Sequence, residues 1–486
     1  MKKHLYVLVV CMVALAGVFW YQKQSSPVSV PPVHAQTPAS SEWNQFRGNA
    51  QRTGATNQEI SGTLTQRWKR GFNEWPHVHA ELVVVGNRVY FANMDGKLTV
   101  MDADNNGNTV WEKDTGAPIN TTPAVVNNRV HVVNLAGRLI TYDLSGNKLW
   151  EYTVPGNVYS SPAVVGGKIF FGTVDGVFYA FDAVNGGNGP TWTYPVGAMI
   201  DTSPCELSGK IIFAAEDMKA YALYTSDGSL AWTAPLTGAR SWNAHPLCSV
   251  DTNRVFFTPM AEFEAYQQTN REIYDTALYE GVTGPLSDLT AQVDQFMSQD
   301  RERLSPAMLL NATNGQRITS FTVAPANTII TSLPFNSWYW GSIRPALWQG
   351  DKLYLQSGWR NILIDLRTNR ISQPNANQNQ TKFFVRGDEL VPTTIGGNRA
   401  FGGIGENIAT LDLTNGSRSN LLGTYGSEGT DFNPLTAPLL GSGLHYYTFP
   451  GDGGSGSIGT FVVAGGRAYY EQYGWIYAFD GTITQR

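Results

Sequence analysis

One pattern of apolar and polar positions recurs along the chain. An apolar pair is followed by a Gly or Asn turn, a basic residue, and a run of aromatic or β-branched residues. The Gly/Asn pair suits a tight hairpin, because its central residues adopt positive φ at little steric cost. The pattern occurs eight times, at the basic residues Arg88, Arg129, Lys168, Lys210, Arg254, Lys352, Arg399 and Arg467.

Each copy continues with a second hairpin, such as "VDGVFYAFD", and four copies end in a segment with tryptophan. These tryptophans are Trp111, Trp150, Trp192 and Trp232. Four antiparallel strands per roughly forty residues, repeated around an axis, form the blades of a β-propeller. The sequence therefore predicts an all-β, eight-bladed β-propeller of four-stranded antiparallel blades, with the propeller spanning residues 64–486 after an N-terminal extension at 36–63.

The eighth copy ends without its own tryptophan strand. The segment "LTQRWKR", residues 64–70, precedes the first copy and carries Trp68. We expect this N-terminal strand to complete the last blade and so to close the ring without an open sheet edge.

Blade five contains an insertion at about residues 260–305. Leu289, Val293 and Phe296 recur at helical spacing, and Gly284 and Pro285 interrupt the pattern. The sequence predicts a helical insertion that is either a lid over the axial funnel, a docking surface for a partner, or a packed decoration.

Residues 1–35 have the features of an export segment. Lys2 and Lys3 precede an apolar run at residues 5–20, and Val33 and Ala35 are spaced as in a cleavage site. The segment is either a removed signal peptide or a retained membrane anchor, since the apolar run is between the usual lengths of the two. We expect an exported protein, periplasmic or extracellular, that meets a membrane only through this segment.

Composition narrows the classes of partner. Charged residues make up 15% of the chain and the formal net charge is −5. A protein that binds nucleic acid needs a basic surface for the phosphate backbone. No nucleic-acid partner is therefore predicted.

Two segments carry a family resemblance: "WNQFRGNAQRTG" at residues 43–54, and "SPAVVGGKIFFGTVDGVFYAFDAVNG" followed by a tryptophan. They resemble the pyrroloquinoline-quinone-like (PQQ-like) β-propeller repeat family over roughly residues 42–484. That family includes quinoprotein dehydrogenases, which bind the quinone at the axis, and the propeller lipoprotein of the outer-membrane β-barrel assembly machinery, which binds protein and no cofactor. Fold alone does not choose between these functions.

Sequence departures favour the second function. Quinoprotein alcohol dehydrogenases carry two adjacent cysteines against the cofactor, and this chain has no Cys-Cys pair and no C-x-x-C-H haem motif. The resemblance thus implies a binding or scaffolding module with other envelope proteins as partners. The alternative is a quinone-dependent oxidoreductase with PQQ and calcium in the axial funnel.

The loops that lead into the inner strands lie at the axial funnel of a propeller. Aromatic planes beside Arg and His suit a small flat anionic ligand, although the same residues also pack between blades. Two histidines without a third ligand do not make a metal site, and no catalytic residue is assigned. The candidate funnel residues are His77, His79, Asp201, Arg240, Trp242, His245, Trp338, Trp340, Arg344 and Asp431.

Two cysteines lie in neighbouring repeats. Cys205 follows Pro204 by one position and Cys248 follows Pro246 by two. Because side chains alternate along a strand, this offset turns the two sulfurs in opposite senses, which in adjacent blades can mean towards each other. We predict an inter-blade disulfide in an oxidising compartment; the alternative is two buried free thiols.

Overall fold

The computed structural model describes thirteen stretches of the chain. They are residues 42–72, 80–241, 244–260, 307–323, 328–330, 333, 346–357, 360–372, 391–404, 407–414, 418–420, 460–472 and 474–485. Within them the strands form eight sheets, mostly of four antiparallel strands. The prediction of an all-β, eight-bladed propeller is confirmed. The helical elements of these stretches are two single 3₁₀ turns, Phe46–Gly48 and Gly186–Asn188. The predicted helical insertion lies outside the described residues except for Met260.

Two strands precede the first blade: β1 (Ala55–Thr56) and β2 (Gln58–Gly71). Blades one to four follow in chain order, each running from an inner to an outer strand. Their strands are β3 (Val83–Val85), β4 (Arg88–Ala92), β5 (Lys97–Asp102) and β6 (Asn108–Asp114); β7 (Ala124–Val126), β8 (Arg129–Val133), β9 (Arg138–Asp143) and β10 (Lys148–Thr153); β11 (Ala163–Val165), β12 (Lys168–Gly172), β13 (Val177–Asp182) and β14 (Pro190–Pro195); and β15 (Cys205–Leu207), β16 (Lys210–Ala215), β17 (Lys219–Tyr224) and β18 (Leu230–Pro235).

Blades five to eight are less regular. Three strands of blade five are described, and blade six carries an extra hairpin made of β22 and β23. The strand β1 belongs to the sheet of blade seven, and β2 belongs to the sheet of blade eight. Their strands are β19 (Leu247–Ser249), β20 (Arg254–Phe257) and β21 (Met308–Asn311); β22 (Phe321–Val323), β23 (Thr328–Ile330), β24 (Ala346–Trp348), β25 (Lys352–Ser357), β26 (Arg360–Asp365) and β27 (Arg370–Ser372); β28 (Val391–Gly396), β29 (Arg399–Ile404), β30 (Asn407–Asp412) and β31 (Arg418–Asn420); and β32 (Thr460–Ala464), β33 (Arg467–Gln472) and β34 (Trp475–Gln485).

The turn signal read from the sequence forms the hairpins between inner strands. Asn127 and Asn128 adopt φ of 51° and 60° between β7 and β8. The flanking strands alternate their side chains between the two faces of each blade, so apolar clusters fill the spaces between neighbouring blades. Phe178 of blade three, for example, stacks on Phe213 of blade four with ring centroids 4.1 Å apart.

A tryptophan on the outer strand joins each of five blades to the next. The indole of Trp111 donates a hydrogen bond to Leu144 O at 2.9 Å and lies against Gly146. A Cβ at Gly146 would sit 2.8 Å from that ring, so the close approach requires glycine there. The same pairing of ring and glycine joins Trp68 to Gly107, Trp150 to Gly186, Trp192 to Gly228 and Trp232 to Gly315.

The N-terminal strand β2 lies in the same sheet as the last three strands of the chain. It pairs antiparallel with β34, with Trp68 opposite Ala478. The Trp68 indole then reaches blade one, where it donates to Ala103 O at 3.0 Å. Arg467 of blade eight also pairs with Asp104 of blade one at 2.6 Å. The contact between blades eight and one thus uses the same tryptophan joint as the others, with an added ion pair.

Candidate functional site

The residues at the inner ends of the funnel loops form a chain of hydrogen bonds from blade to blade. The backbone N–H of Glu81 donates to Thr122 Oγ1 at 2.8 Å, and Thr122 N–H donates to Ser161 Oγ at 2.9 Å. The series continues through Ser203 to His245, whose Nδ1 accepts from Ser203 N–H at 2.8 Å. An accepting Nδ1 carries no proton, so this contact fixes the tautomer of His245. Five successive blades are therefore linked at the funnel, each by a backbone N–H that donates to a side chain of the next blade.

Residues 43–58, which we call the axial strap, contact the inner strands of one blade after another. Apart from the strap's own β1, which pairs with β28, no strand of the described sheets lies inside an inner strand, so the inward N–H groups of the inner strands need a partner from elsewhere. The strap supplies an acceptor at 2.7–2.9 Å to one N–H of each of blades one to seven. The pairs are Val84 with Trp43 O, Val125 with Asn44 O, Val164 with Gln45 Oε1, Glu206 with Ala50 O, Cys248 with Gln51 O, Leu347 with Thr53 O and Ile395 with Gly54 O.

Blade eight receives the end of the strap, where Gly466 N–H donates to Gln58 Oε1 at 3.0 Å. Inner strands line the axis of a propeller, so a segment that contacts all eight blades runs around that axis. The sequence analysis assigned residues 36–63 to an extension before the propeller. The described part of that extension lies within the ring.

Arg52 anchors the strap at blades three and four. Its side chain is 1% exposed, and Nε donates to Pro204 O at 2.8 Å while Nη2 donates to Pro162 O at 3.1 Å. Nη1 closes the strap on itself through Phe46 O at 2.9 Å. Burial lowers the pKa of Arg52 to about 9, and the charge of Glu81 opposes this change. The guanidinium therefore remains charged at neutral pH, and it is bound by carbonyl oxygens of residues that directly precede the inner strands.

A buried ion pair between Arg47 and Glu81 lies beside it. Glu81 accepts from the backbone N–H of Arg47 at 2.8 Å, and its other oxygen is 3.7 Å from Arg47 Nη1. Both side chains are at most 5% exposed. Arg47 and Arg52 have left-handed φ of 56° and 60°, which fold the motif into a compact turn. The segment quoted for the family resemblance is thus the one that fills the axis.

Three of the ten candidate funnel residues are described. Asp201 is 3% exposed, and Arg240 is exposed and pairs with Glu216 at 3.1 Å. His245 lies against the strap, with its ring 5.0 Å from that of Phe46. The other seven lie outside the described residues: His77, His79, Trp242, Trp338, Trp340, Arg344 and Asp431. Arg240 thus forms an ion pair, His245 contacts blade four and the strap, and a flat anionic ligand remains a proposal.

The sequence analysis did not identify Gln45, Arg52 and Glu81 as residues that hold the strap against the blades. Two arginines in an otherwise uncharged motif were the available signal, since an arginine is almost never fully buried unless it is paired. Only the fold places Arg52 next to Pro162 and Pro204, more than a hundred positions away.

The two cysteines predicted to pair are joined in the structure. Cys205 and Cys248 form a disulfide with Cα atoms 6.1 Å apart, and both residues are fully buried. They lie on β15 and β19, the inner strands of blades four and five. The strap passes the same two strands at Ala50 and Gln51, so the bridge and the strap hold the same pair of blades.

The described stretches contain no group of three or more His, Cys, Asp or Glu residues that could hold a metal ion. They also contain no helix long and apolar enough to span a bilayer. Residues 5–20, the predicted export segment, lie outside them.

The family model described as "Outer membrane protein assembly factor BamB" matches residues 54–152 and 99–289. The chain is similar to the PQQ-like propeller repeat family. It is 33% identical over 123 residues to BamB of Burkholderia pseudomallei, covering 25% of this chain and 32% of that protein. It is 30% identical over 115 residues to BamB of Moranella endobia, covering 21% and 29%. The chain thus matches about a third or less of the length of these relatives.

Solved structures of PQQ-like propellers share the fold. BamB from Moraxella catarrhalis superimposes with a TM-score of 0.52 and 13% identity, covering 86% of this chain and 98% of that one. A quinohemoprotein alcohol dehydrogenase from Comamonas testosteroni gives 0.56 and 12%, covering 92% and 81%. Both functions known for PQQ-like repeats are therefore present among the structural relatives, and at this identity they support the fold alone.

The described axial residues do not fit a quinone. Beside the funnel loops of blades three to five, the axis holds Phe46 and the buried Arg52 side chain, with the Arg52 Cζ 5.5 Å from the Phe46 ring centre. A planar anion there would have to displace Arg52 from Pro162 O and Pro204 O. The carbonyl oxygens left behind would repel its charge.

Proposed function

We propose that this chain is an exported propeller that acts as a binding or scaffolding module in the cell envelope, with other envelope proteins as partners. The observation that supports this most is the axial strap. Its Phe46 and Arg52 side chains fill the axis beside blades three and four, which favours recognition by the outer surfaces of the blades. The relatives named as outer-membrane protein assembly factors favour a role of that kind.

A scaffold needs a ring that keeps its shape. We propose that β2 closes the ring by completing the eighth sheet. In support, Trp68 makes with blade one the contact that Trp111 and Trp232 make at their own joints, through indole hydrogen bonds at 2.9–3.0 Å. A complete eighth sheet would leave no open edge between the last and first blades for aggregation.

Export is supported by two independent features. Residues 1–35 carry the pattern of a signal peptide or anchor, and the Cys205–Cys248 bridge suits an oxidising compartment. We place the protein in the periplasm or outside the cell, with any membrane attachment through residues 5–20.

The alternative is a quinone-dependent oxidoreductase, which is the other function that the PQQ-like resemblance implies. It requires the strap to leave the axis, because the cofactor and Arg52 would compete for one place. We therefore rank it second.

The test combines a binding assay with cross-linking. The purified chain is mixed with PQQ and calcium, and absorbance and dye reduction with alcohols or sugars are recorded. In parallel, a photo-cross-linking residue replaces Leu149 or Val184 in cells; these side chains on blades two and three are 44% and 52% exposed. We expect no quinone binding, and cross-links to an outer-membrane protein assembly component. Bound quinone with substrate-dependent dye reduction would overturn the proposal, as would the absence of envelope cross-links from every exposed blade position tried.

A further inference from the structure

The inner edges of the blades present a series of backbone N–H groups to the strap. Seven inner strands and one turn each direct an N–H group at the axis, and none of these groups bonds to a neighbouring blade within the described stretches. Their acceptors are the backbone carbonyls and two glutamine side chains of the strap. Recognition of this type resembles a peptide added along a sheet edge, except that one peptide here serves eight sheets in turn.

The contacts at the axis also depend on the charge and the hydrogen-bonding groups of three strap side chains. The oxygens of Pro162 and Pro204 converge on the Arg52 guanidinium, and the buried carboxylate of Glu81 lies against Arg47. Gln45 adds sequence selectivity, because its amide both donates to Val164 O at 3.1 Å and accepts from Val164 N–H at 2.8 Å. A peptide without these side chains would leave buried carbonyls and a buried carboxylate unpaired, which is costly.

We infer that the axis of this propeller is a peptide-binding site, occupied in cis by the chain's own residues 43–58, and that it accepts the same peptide in trans. The ligand class is an extended peptide with glutamine and arginine at the positions of Gln45, Arg47 and Arg52. This inference does not depend on the proposed scaffold function, because it concerns only the contacts between the strap and the inner strands.

The strap can be cut from the ring after folding. Gly62 lies where the pairing of β2 with β34 shifts register between Ser61 and Thr65, it is exposed, and a Cβ there would meet nothing within 4 Å. A protease recognition sequence inserted after Gly62 in the full chain therefore permits cleavage of the folded protein. The covalent link is removed while every strap contact is kept.

The experiment measures retention and exchange of the strap. After cleavage, we expect the N-terminal fragment to co-elute with the ring in gel filtration. A fluorescent synthetic peptide of residues 42–62, added in excess, should replace it with a stoichiometry of one. The same peptide with Arg52→Met should bind at least about a hundredfold more weakly, since it loses a multiply bonded buried cation. The matched control is the same peptide with Gln58→Ala, which removes only the acceptor for Gly466 N–H and should weaken binding far less.

Three results would overturn the inference. The first is loss of the fragment from a ring that keeps its circular dichroism and does not take up the peptide. The second is equal binding of the wild-type, Arg52→Met and scrambled peptides. The third is unfolding of the ring on cleavage, which would make the strap part of an indivisible core. None of these results bears on the quinone and cross-linking assays, so the failure of one proposal is distinguishable from the failure of the other.

Discussion

The contact of Trp68 with blade one predicts how much the chain depends on its N-terminal strand. Replacing Trp68 by alanine removes a side chain that is 5% exposed, its hydrogen bond to Ala103 O, and its packing on Gly107 and Tyr469. Burying an aromatic side chain of this size removes 150–250 Å² from water, or about 4–6 kcal/mol at 25 cal/mol per Å². Measured Trp→Ala changes in cores cost about 3–5 kcal/mol, so we expect a loss in that range.

A comparison of two phenylalanine variants isolates the hydrogen bond. Trp150 makes the same ring-on-glycine contact, but its Nε1 has no hydrogen-bond partner among the described residues. Trp68→Phe leaves the carbonyl of Ala103 without its donor, whereas Trp150→Phe removes no such bond. We expect Trp68→Phe to cost about 1 kcal/mol more than Trp150→Phe.

The assay is equilibrium unfolding in urea, followed by tryptophan fluorescence and circular dichroism, with refolding checked. Where refolding is incomplete, unfolding rates replace free energies. Leu149→Ala is the control, since Leu149 is exposed on an outer strand. A loss for Trp68→Ala no larger than that of Leu149→Ala would refute the closing role of β2.

Two further predictions concern covalent and ionic links between elements. Replacing both Cys205 and Cys248 by serine should lower the free energy of unfolding by about 4 kcal/mol on the chain-entropy account, because the bridge closes a loop with a sequence separation of 43. Mass spectrometry of the unreduced, alkylated wild-type chain should find neither cysteine modified. Alkylation of both cysteines would contradict the bridge. At Asp480, desolvation raises the pKa, but hydrogen bonds and charge from Arg467 and Arg67 outweigh it and lower the pKa below its ordinary value of 3.8. Because the pKa of Asp480 is lower in the folded chain, its carboxylate stabilises the fold above pH 3.8, and this contribution is lost as the pH falls through the folded pKa. The difference in unfolding free energy between wild type and Asp480→Asn should therefore be full at about pH 6 and shrink below about pH 4. A difference that does not change with pH would contradict the pairing.

Much of the fold followed from local signals in the sequence. The turn pairs, such as Asn127 and Asn128, specify hairpins by their φ angles, and alternation fixes which side chains enter the spaces between blades. The tryptophans at 111, 150, 192 and 232 all lie on outer strands as the repeat predicted. Each of these features depends on residues within about forty positions of one another, which is why one chain sufficed to find them.

The cysteine pairing depended on strand parity in neighbouring blades, and it was the longest-range inference that the sequence supported. The face of the strand on which each cysteine lies could be counted from Pro204 and Pro246. The separation of the inner strands, with Cα atoms 6.1 Å apart, came only from the assembled ring.

The axial site was decided by the tertiary structure. In the sequence, "WNQFRGNAQRTG" is a motif in an extension, and Arg52 is one charged residue among others. Its partners, Pro162 and Pro204, and the seven inner-strand N–H groups that the strap satisfies come from blades spread over more than three hundred residues. The sequence by itself determined eight repeats of a blade, because hairpin turns and alternation are local. What fills the centre was determined only when the eight inner edges converged, since their unpaired N–H groups have no counterpart within a single repeat.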